Sequence, residues 1–551
     1  MSSISYMPLG GGGEVGSKNM AILEYEGKAI MIDAGLMFAN ATHPGVDLLL
    51  PDFTEVVERK NYLQGIFLTH GHEDHIGSVP FILQKRNIPL FGTRLTLGFI
   101  NAKLEEFSLP HAPQMNVVEP GEPLQVGPFK VEYLPVTHSI VDACSIAVTT
   151  PLGVVLHTGD FKIDPNPADG KRMALDRFAE LGKKGVLLMM SDSTNVERQG
   201  TTGSEGDLAP VLEGYVAKAE GRVILTCFAS NIQRVQMAVD AALKNGRRIC
   251  VMGRSMVRNT EVARHLGYLR IPADRMVQPD HVRGVKAREL MIITTGSQGE
   301  PMSSLSRMAM GDHRHVEINK GDLVIISARK IPGNERAASN VINHLFKRGA
   351  EVLYEDVAFV HVSGHAQRDE QKKLLELVKP RYFVPVHGEY RHLVFHKRLA
   401  VETGMDPRNI FLLENGDCLT LDKRSAEVEH GLPQGVLFVD GGSVQEVGEM
   451  VLRDRQHLAE DGVVVVLVSV DSAAGRIVGG PDLVIRGVSD NIPGEILEEA
   501  RHLIRDMLEA ESREAVSDWA TVNEAVRKAL QKFFSRKMSR RPMILPVIME
   551  V

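Results

Sequence analysis

The run LTHGHEDHIG, Leu68–Gly77, sets three histidines and two acids between His70 and His75, directly after an apolar stretch. Neutral imidazoles and carboxylates are the ligands that borderline divalent cations accept, and a catalytic site needs about three of them plus an open position for water. The chain offers more such groups at the ends of other apolar runs: His138 closes VEYLPVTH, Asp160 closes GVVLHTGD and His387 closes RYFVPVH. His70, His72 and His138 make one ligand set, Asp74, His75 and His387 a second, and Asp160 is the carboxylate able to bridge them. Two cations roughly 3.5–4 Å apart would lower the pKa of a shared water and clamp the attacking and leaving oxygens of a phosphoryl centre. His72 and His75 stand three apart, which excludes the H-E-x-x-H helix of zinc proteases, so a turn rather than a helix is expected to carry the cluster. Isolated histidines are more often surface or hydrogen-bonded core residues, and His43, His111, His281, His313 and His457 are read that way. His157, inside LHTGD, is expected to point away from the ligand edge.

Positioning such residues requires strands that end together. KAIMID stops at Asp33, GIFLTH at His70 and GVLLMMSD at Asp192, and these runs resemble the three above in being short and rich in Val, Ile, Leu and Phe, as strands buried on both faces are. Laid side by side, they bring residues scattered between 33 and 387 to one rim. Gly11, Gly13 and Gly16 with Asp33 imitate a dinucleotide fingerprint, but NMAILEYEGKAIMIDAG reads as two extended runs split by Glu26-Gly27 where that motif needs a helix. A glycine hairpin between strands is the better reading. Residues 161–386 separate Asp160 from His387, more than a sandwich needs, so an α/β domain is inserted there. Its strands read as GRVILTCF, RRICVMG, LMIITTG and GDLVIISA, with helical stretches such as NIQRVQMAVDAALKNG between them. The insert is expected to cap the metal rim and leave a cleft for an extended substrate, with Gly296, Gly299 and the PGNE turn offering backbone amides to phosphate. KRSAEVEHGLPQG reads as a linker to a tail with strands in VLFVD and VVVVLVSVD, helices in PGEILEEARHLIRDMLEA and TVNEAVRKALQKFF, and a last strand in PMILPVIMEV. Lys532, Arg536, Lys537, Arg540 and Arg541 read as a solvated helix end rather than an RNA contact.

Composition bounds the remaining classes. With 551 residues the chain exceeds one core, and 43% hydrophobic with 24% charged residues is an ordinary globular balance. A net charge of −7 gives no generic polyanion binder, so any nucleic-acid chemistry rests on local charge or bound metal. Four cysteines without a C-x-x-C pair argue against disulfides and thiolate metal sites. No apolar run is long enough to span a bilayer and the stretch MSSISYMPLGGGG lacks a basic region followed by an apolar one, so the expectation is a cytoplasmic protein with no membrane partner.

LTHGHEDHIG, VTHS, TGDFKID and VHGE resemble the ligand motifs of the metallo-β-lactamase superfamily. SDSTN, TCFASNIQR, TTGSQGEPMSSLSRM, KIPGNE, HVSGHA, VDGGSV and the terminal RRPMILPVIMEV resemble, over nearly the whole chain, the β-CASP nucleases of the ribonuclease J family. The resemblance implies an α/β fold: a metallo-β-lactamase αββα sandwich in residues 1–205 and 349–422, an inserted α/β β-CASP domain in 206–348, a linker in 423–435 and a small C-terminal α/β domain in 436–551. It places the metal ligands on the seven residues above, with Asp33 supporting them, and catalytic roles on Asp74, Asp192 and His365. It also implies that His361, Val362, Ser363, Gly364 and His365, with Ala229, Ser230 and Asn231, hold a nucleotide phosphate. A phosphate held there acts as a ruler from the 5′ end, so a 5′-to-3′ exoribonuclease preferring 5′-monophosphate ends is expected, with endonuclease activity as a second mode, in RNA maturation and decay. Two divalent cations per chain are expected, Zn²⁺ first and Mn²⁺ second, with single-stranded RNA as substrate, a homodimer or higher homo-oligomer, and an RNA-degradation complex as a further partner. Two local departures are Val141, where proline is usual, and Arg329 and Lys330, where small or apolar residues are usual; the latter pair reads as RNA contacts or, more commonly, a solvated loop. A β-CASP DNA nuclease, a thioester or lactam hydrolase of the same fold, and a scaffold subunit without metals are the competing readings.

Overall fold

The computed structural model describes residues 2–40, 42–300, 302–331, 333–431, 435–441, 443–445, 449–471, 476–489, 492–510 and 519–550. Pro332 of the PGNE turn, Gly442 of VDGGSV and residues 432–434 of the expected linker lie outside these.

All six apolar runs that end in polar residues are strands: Lys28–Ile32, Leu63–Phe67, Phe129–Pro135, Gly153–His157, Val186–Asp192 and Tyr382–Val386. They belong to two sheets. One has eight strands in the order 426–429, 418–421, 4–10, 20–25, 28–32, 63–67, 90–92, 115–117; the other has six in the order 124–126, 129–135, 144–150, 153–157, 186–192, 382–386. Ile4, Leu23, Ile30, Ile32 and Phe67 from the first meet Val131, Ile146, Val148, Met190 and Val384 from the second in one fully buried layer, which is what makes the pair a sandwich. Within the six-stranded sheet, 153–157, 186–192 and 382–386 run parallel with His157 opposite Met190 and Asp192 opposite Val386, so their C-terminal ends share a rim. In the other sheet Ile32 is opposite Phe67 in a parallel pair, which brings Asp33 and Thr69-His70 to the same level.

The glycine-rich stretch connects antiparallel strands Ile4–Gly10 and Met20–Tyr25 as a turn, and Gly12–Gly13 also pairs with Gly388–Glu389; no helix follows, so no dinucleotide site is built there. The ligand cluster differs from expectation. Asp74 and His75 sit on a single helical turn, Glu73–Ile76, while His70 and His72 lie in the loop before it. Gly35 permits that turn to sit close: a Cβ there would lie 1.6 Å from the Asp74 carbonyl oxygen.

The insert is a five-stranded parallel sheet in the order 248–251, 290–294, 223–226, 323–326, 351–353, wrapped around its own buried core of Ile224, Ile292, Val324, Leu305 and Leu345. Its last strand, Glu351–Leu353, pairs with Leu323–Ile326 and so carries the inserted sheet past residue 348; three residues are too few to show a pattern in sequence. Residues 426–429, read as linker, are the edge strand of the large sheet. An edge strand with one wet face needs no apolar run, which is why AEVE looked like a connection.

Residues 38–49 and 437–551 form a second unit. Strands Arg476–Arg486, Val463–Asp471 and Met543–Glu550 carry helices Gly494–Ala510 and Trp519–Met538 on one face, with Val464, Val466, Ile504, Val526 and Phe534 buried between. The helix Glu449–Asp461 and the strand Arg476–Arg486 were not visible in the sequence. No helix among the described residues is long and apolar enough to cross a membrane.

Candidate metal centre

The rim where these strands end gathers all seven expected ligands. His70 Nε2 lies 3.0 Å from His72 Nδ1, which lies 3.2 Å from His138 Nε2. Asp160 Oδ2 stands 3.6 Å from His70 Nε2 and from His138 Nε2, and 3.3 and 3.6 Å from His75 and His387 Nε2. Asp74 Oδ2 completes the second group, 3.5 Å from His75 Nε2 and 3.4 Å from His387 Nε2. One carboxylate oxygen is thus shared between a set made of His70, His72 and His138 and a set made of Asp74, His75 and His387.

Hydrogen bonds on the far side of four of the five ligand rings fix which nitrogen faces inward. His75 Nδ1–H donates to Asp33 Oδ2 at 2.7 Å, and the Thr69 hydroxyl donates to Asp33 while accepting from His70 Nδ1–H at 3.0 Å. His138 Nδ1–H donates to the Gly364 carbonyl at 2.7 Å. His387 Nδ1–H donates to Thr194 Oγ1 at 2.8 Å, whose hydroxyl donates to Asp192 Oδ1 at 2.7 Å. Each of these four rings therefore turns a lone pair at Nε2 toward Asp160. Asp33 and His387 hold positive φ, +59° and +53°, a backbone state that side chains other than glycine rarely adopt and that recurs where a strand must hand a residue to a site.

Those lone pairs test whether a cation fits. Three imidazole nitrogens at 3.0–3.2 Å without protons between them repel unless a positive charge stands in their midst, and tetrahedral Zn–N bonds of roughly 2.0–2.1 Å separate their nitrogens by about 3.3 Å. Asp160 Oδ1 is buried and has no hydrogen-bond partner among the described residues, a vacancy that a second ligand bond satisfies. Burial, reinforced by the neighbouring histidines, holds His70 and His138 well below the ordinary histidine pKa and His72 down at about 4, so all three stay neutral and ligand-competent. Burial also opposes charge on His75 and His387, but Asp160 with Asp74 or Asp192 outweighs it and raises both well above the ordinary value. Without metal, protons take the place of cations there. Asp74, Asp160 and Asp192 resist the upward push of burial because protonated histidines beside them hold each well below the carboxylate range. The residues present fit divalent cations.

His365 adjoins this centre. Its Nδ1–H donates to Asp192 Oδ2 at 2.8 Å, and its ring stacks on His387 at 5.2 Å and meets His138 edge-on at 4.9 Å. The rest of the 361–365 loop is less free than expected. Ser363 Oγ accepts from Asn195 Nδ2 and from the His365 amide, and a Cβ on Gly364 would sit 2.8 Å from the His138 ring, so this loop positions a ligand histidine. Val362 is buried. His361 Nδ1 is buried and unpartnered among the described residues, with burial and the cations Arg234, Arg329 and Lys162 keeping the ring neutral. Ala229 and Ser230 are half-buried beyond the Val223–Thr226 strand, and Asn231 caps the helix Ile232–Lys244 by accepting from the Arg234 amide at 2.9 Å.

His157 corrects an expectation. Its ring folds back so that Nδ1 accepts from the Gly159 amide, and it borders the same cavity of about 30 Å³ as Asp33, His75, Asp160 and His387. Sequence reading also missed Asn19, whose amide donates to Asp74 Oδ2 at 3.2 Å, and Thr194 and Gly35. Thr194 lies within a motif already singled out, SDSTN, whereas nothing marked Asn19.

Fold and site together define a metallo-β-lactamase-fold hydrolase carrying an inserted β-CASP domain. Family profiles agree: "Metallo-beta-lactamase superfamily" matches residues 13–180, "Ribonuclease J, beta-CASP domain" 220–345, "Zn-dependent metallo-hydrolase RNA specificity domain" 349–412 and "Ribonuclease J C-terminal domain" 450–551. The chain belongs to the ribonuclease J family and is a metal-dependent, hydrolytic ribonuclease. It is 40% identical over 557 residues to ribonuclease J of Thermus thermophilus, covering 99% of this chain and 95% of that one. It is 41% identical over 544 residues to ribonuclease J of Mycobacterium tuberculosis, covering 98% and 96%, and 39% identical over 548 residues to that of Helicobacter pylori, covering 99% and 79%. A crystal structure of a protein of unknown function from Enterococcus faecalis shares the fold at 16% identity and a TM-score of 0.53, covering 76% of this chain and 100% of that one.

Proposed function

We propose that this ribonuclease degrades and matures single-stranded RNA in the 5′-to-3′ direction, prefers 5′-monophosphate ends, and cuts internally as a second mode. The observation that carries the reading is the adjacency of two elements: six ligand side chains gathered around Asp160, and the 361–365 loop bonded directly to one of them through Gly364 and His138. A terminal phosphate seated by that loop puts the next phosphodiester near the ligands, which sets the register of cutting from the end.

His70, His72 and His138 would hold one cation, Asp74, His75 and His387 the other, and Asp160 both, with Zn²⁺ favoured by the histidine-rich donor set and Mn²⁺ second. When bound, the two cations supply a water of lowered pKa and neutralise charge on the phosphoryl oxygens. The chain's own groups do the rest. His365, held by Asp192 through Nδ1 and packed against the ligand rings of His138 and His387, is the group beside the rim that can hand a proton to the departing 3′-oxygen and leave a 5′-phosphate on the downstream product. Asp192 serves twice, through His365 and through Thr194 to His387. The reading includes a homodimer, membership of an RNA-degradation complex and a cytoplasmic location.

A time course on 5′-monophosphate, 5′-triphosphate and 5′-hydroxyl forms of one RNA, and on matched single-stranded DNA, tests it with His75→Ala as control. Nucleotides released from the 5′ end of the monophosphate RNA are expected first; equal cutting of DNA favours the DNA-nuclease reading, and purified protein without metal favours the scaffold.

A further inference from the structure

Beside the 361–365 loop lies a charge arrangement that the reading above leaves unused. Strands Leu323–Ile326 and Glu351–Leu353 are parallel neighbours in the insert, so the loops leaving their C-terminal ends emerge together. One loop begins Arg329-Lys330 and the other carries Glu355-Asp356, and they pair one to one: Arg329 Nη2 to Glu355 Oε1 at 2.7 Å, Lys330 Nζ to Asp356 Oδ2 at 2.9 Å. Lys330 and Asp356 are the outer, more solvated pair. Arg329 instead reaches inward, its Nη1 donating to Asn195 Oδ1 at 3.5 Å, and Asn195 in turn donates to Ser363 Oγ and to the His365 carbonyl. Two hydrogen bonds therefore separate this guanidinium from the loop proposed to seat the 5′ phosphate. A second arginine, Arg198, stands on the same segment three residues beyond Asn195, its backbone bonded to Asn195 and Arg368, and it has no ion-pair partner among the described residues. The two arginines feel each other, since burial and then Arg329 lower the Arg198 pKa while Glu355 alone opposes them.

We propose that Arg329, Glu355 and Arg198 discriminate RNA 5′ ends by charge: Glu355 engages the guanidinium that would otherwise hold a second phosphate, so an end bearing one phosphate is accepted and an end bearing more is disfavoured. The physical reason is the sign of the local charge. With Glu355 in place the Arg329 pair is neutral and presents a carboxylate to any phosphate beyond the first, leaving Arg198 as the single attractive charge. Removing Glu355 leaves two adjacent cations with nothing between them, an arrangement that favours a bound polyphosphate. The inference rests on the reading of the 361–365 loop as the 5′-phosphate seat, and it moves the basis of selection from the size of that seat to the charge beside it.

Steady-state kinetics on 5′-hydroxyl, 5′-monophosphate and 5′-triphosphate forms of one short RNA tests the assignment, using the full chain loaded with metal and checked for folding by thermal melting. The ratio of kcat/KM for triphosphate over monophosphate is expected to rise about fivefold in Glu355→Gln, the scale of one partly exposed charge. The same ratio is expected to fall in Arg329→Met and, independently of the ion pair, in Arg198→Gln. A ratio unchanged in the folded variants overturns the proposal while leaving the phosphate seat intact. Wild-type protein that treats hydroxyl and monophosphate ends alike removes the seat itself, and the proposal with it.

Discussion

Four of the five histidines in the ligand set present Nε2 inward only because a specific acceptor takes the proton on Nδ1: Asp33 for His75, Thr69 for His70, Gly364 for His138 and Thr194 for His387. Loss of such a partner typically lowers metal affinity on the order of 10–100-fold, because the ring loses its tautomer and its orientation. Gly364→Ala keeps the carbonyl but presses a methyl on the His138 ring, and the displaced ring is expected to show the same loss for the His138 set, as a fall in metal content on dialysis against a weak chelator, while His75 and His387 keep theirs. Asp192→Asn keeps an oxygen to accept from Thr194, and so the orientation of His387, but loses the charge that orients His365; it is expected to reduce kcat by about 10²-fold with metal content unchanged by elemental analysis. A histidine outside the ligand set contributes to acid sensitivity. His396 is fully buried against Phe383, shares a hydrogen bond with Ser193 and no other among the described residues, and burial, partly offset by Asp192, lowers its pKa to about 3. The folded chain keeps it neutral, whereas the unfolded chain binds a proton below pH 6.5, so its contribution is complete above that pH and is lost as pH falls from 6.5 toward 3. The slope is about 1.4 kcal/mol per pH unit for one such group. Guanidinium unfolding of wild type and His396→Leu at pH 7 and pH 5.5 reads it as a smaller pH-dependent loss in the variant.

At the level of elements, the ligand rim is made by register. Parallel pairing of 153–157, 186–192 and 382–386 delivers Asp160, Asp192 and His387 to one height, and the alternation of apolar runs with terminal polar residues announced each of these strands in advance. What the runs did not announce was the form of the His70–His75 segment. Asp74 and His75 stand on a helical turn because Ile76 and Gly77 close backbone bonds to His72 and Glu73, and because the Asp74 and His75 carbonyls also accept from Asn19 and Ala34. Spacing alone could not reveal those tertiary bonds. Gly35→Ala drives a methyl against the Asp74 carbonyl and is expected to displace the turn, costing about 1–3 kcal/mol or more, with metal lost from the Asp74, His75, His387 set before the fold melts. The edge strand 426–429 and the short strand 351–353 escaped notice for a related reason: their pairing comes from a neighbour's free edge, and their own residues carry no periodic signal.

For the whole molecule, ligands drawn from residues 70 through 387 mean that bound cations stabilise the arrangement of both sheets. Demetallated protein is expected to melt at a lower temperature and to recover on adding Zn²⁺ or Mn²⁺, a saturating ligand at a hundred times its Kd contributing about 2.7 kcal/mol. In the second unit, the sheet face opposite the helices leaves Val484, Leu545 and Val547 44%, 45% and 41% exposed, the apolar surface on which the proposed homo-oligomer is tested. Leu545→Lys with Val547→Lys is expected to lower the molar mass in light scattering while RNA cleavage by the first unit persists, which checks the proposed homo-oligomer. The residue types, their places at strand ends and the interruption of the sandwich by an insert were decided by local composition and periodicity, because a buried strand must be apolar and a ligand must be polar wherever the chain folds. Which nitrogen each histidine offers, the pairing of Arg329 with Glu355, the folding-back of His157 and the membership of residues 38–49 in the second unit were decided by tertiary structure alone. The partners of His75, His138, His387 and Arg329 lie far away in the chain, where no short window of sequence contains both, and the near ones, Thr69 for His70 and Gly159 for His157, are bonds whose geometry periodicity does not encode.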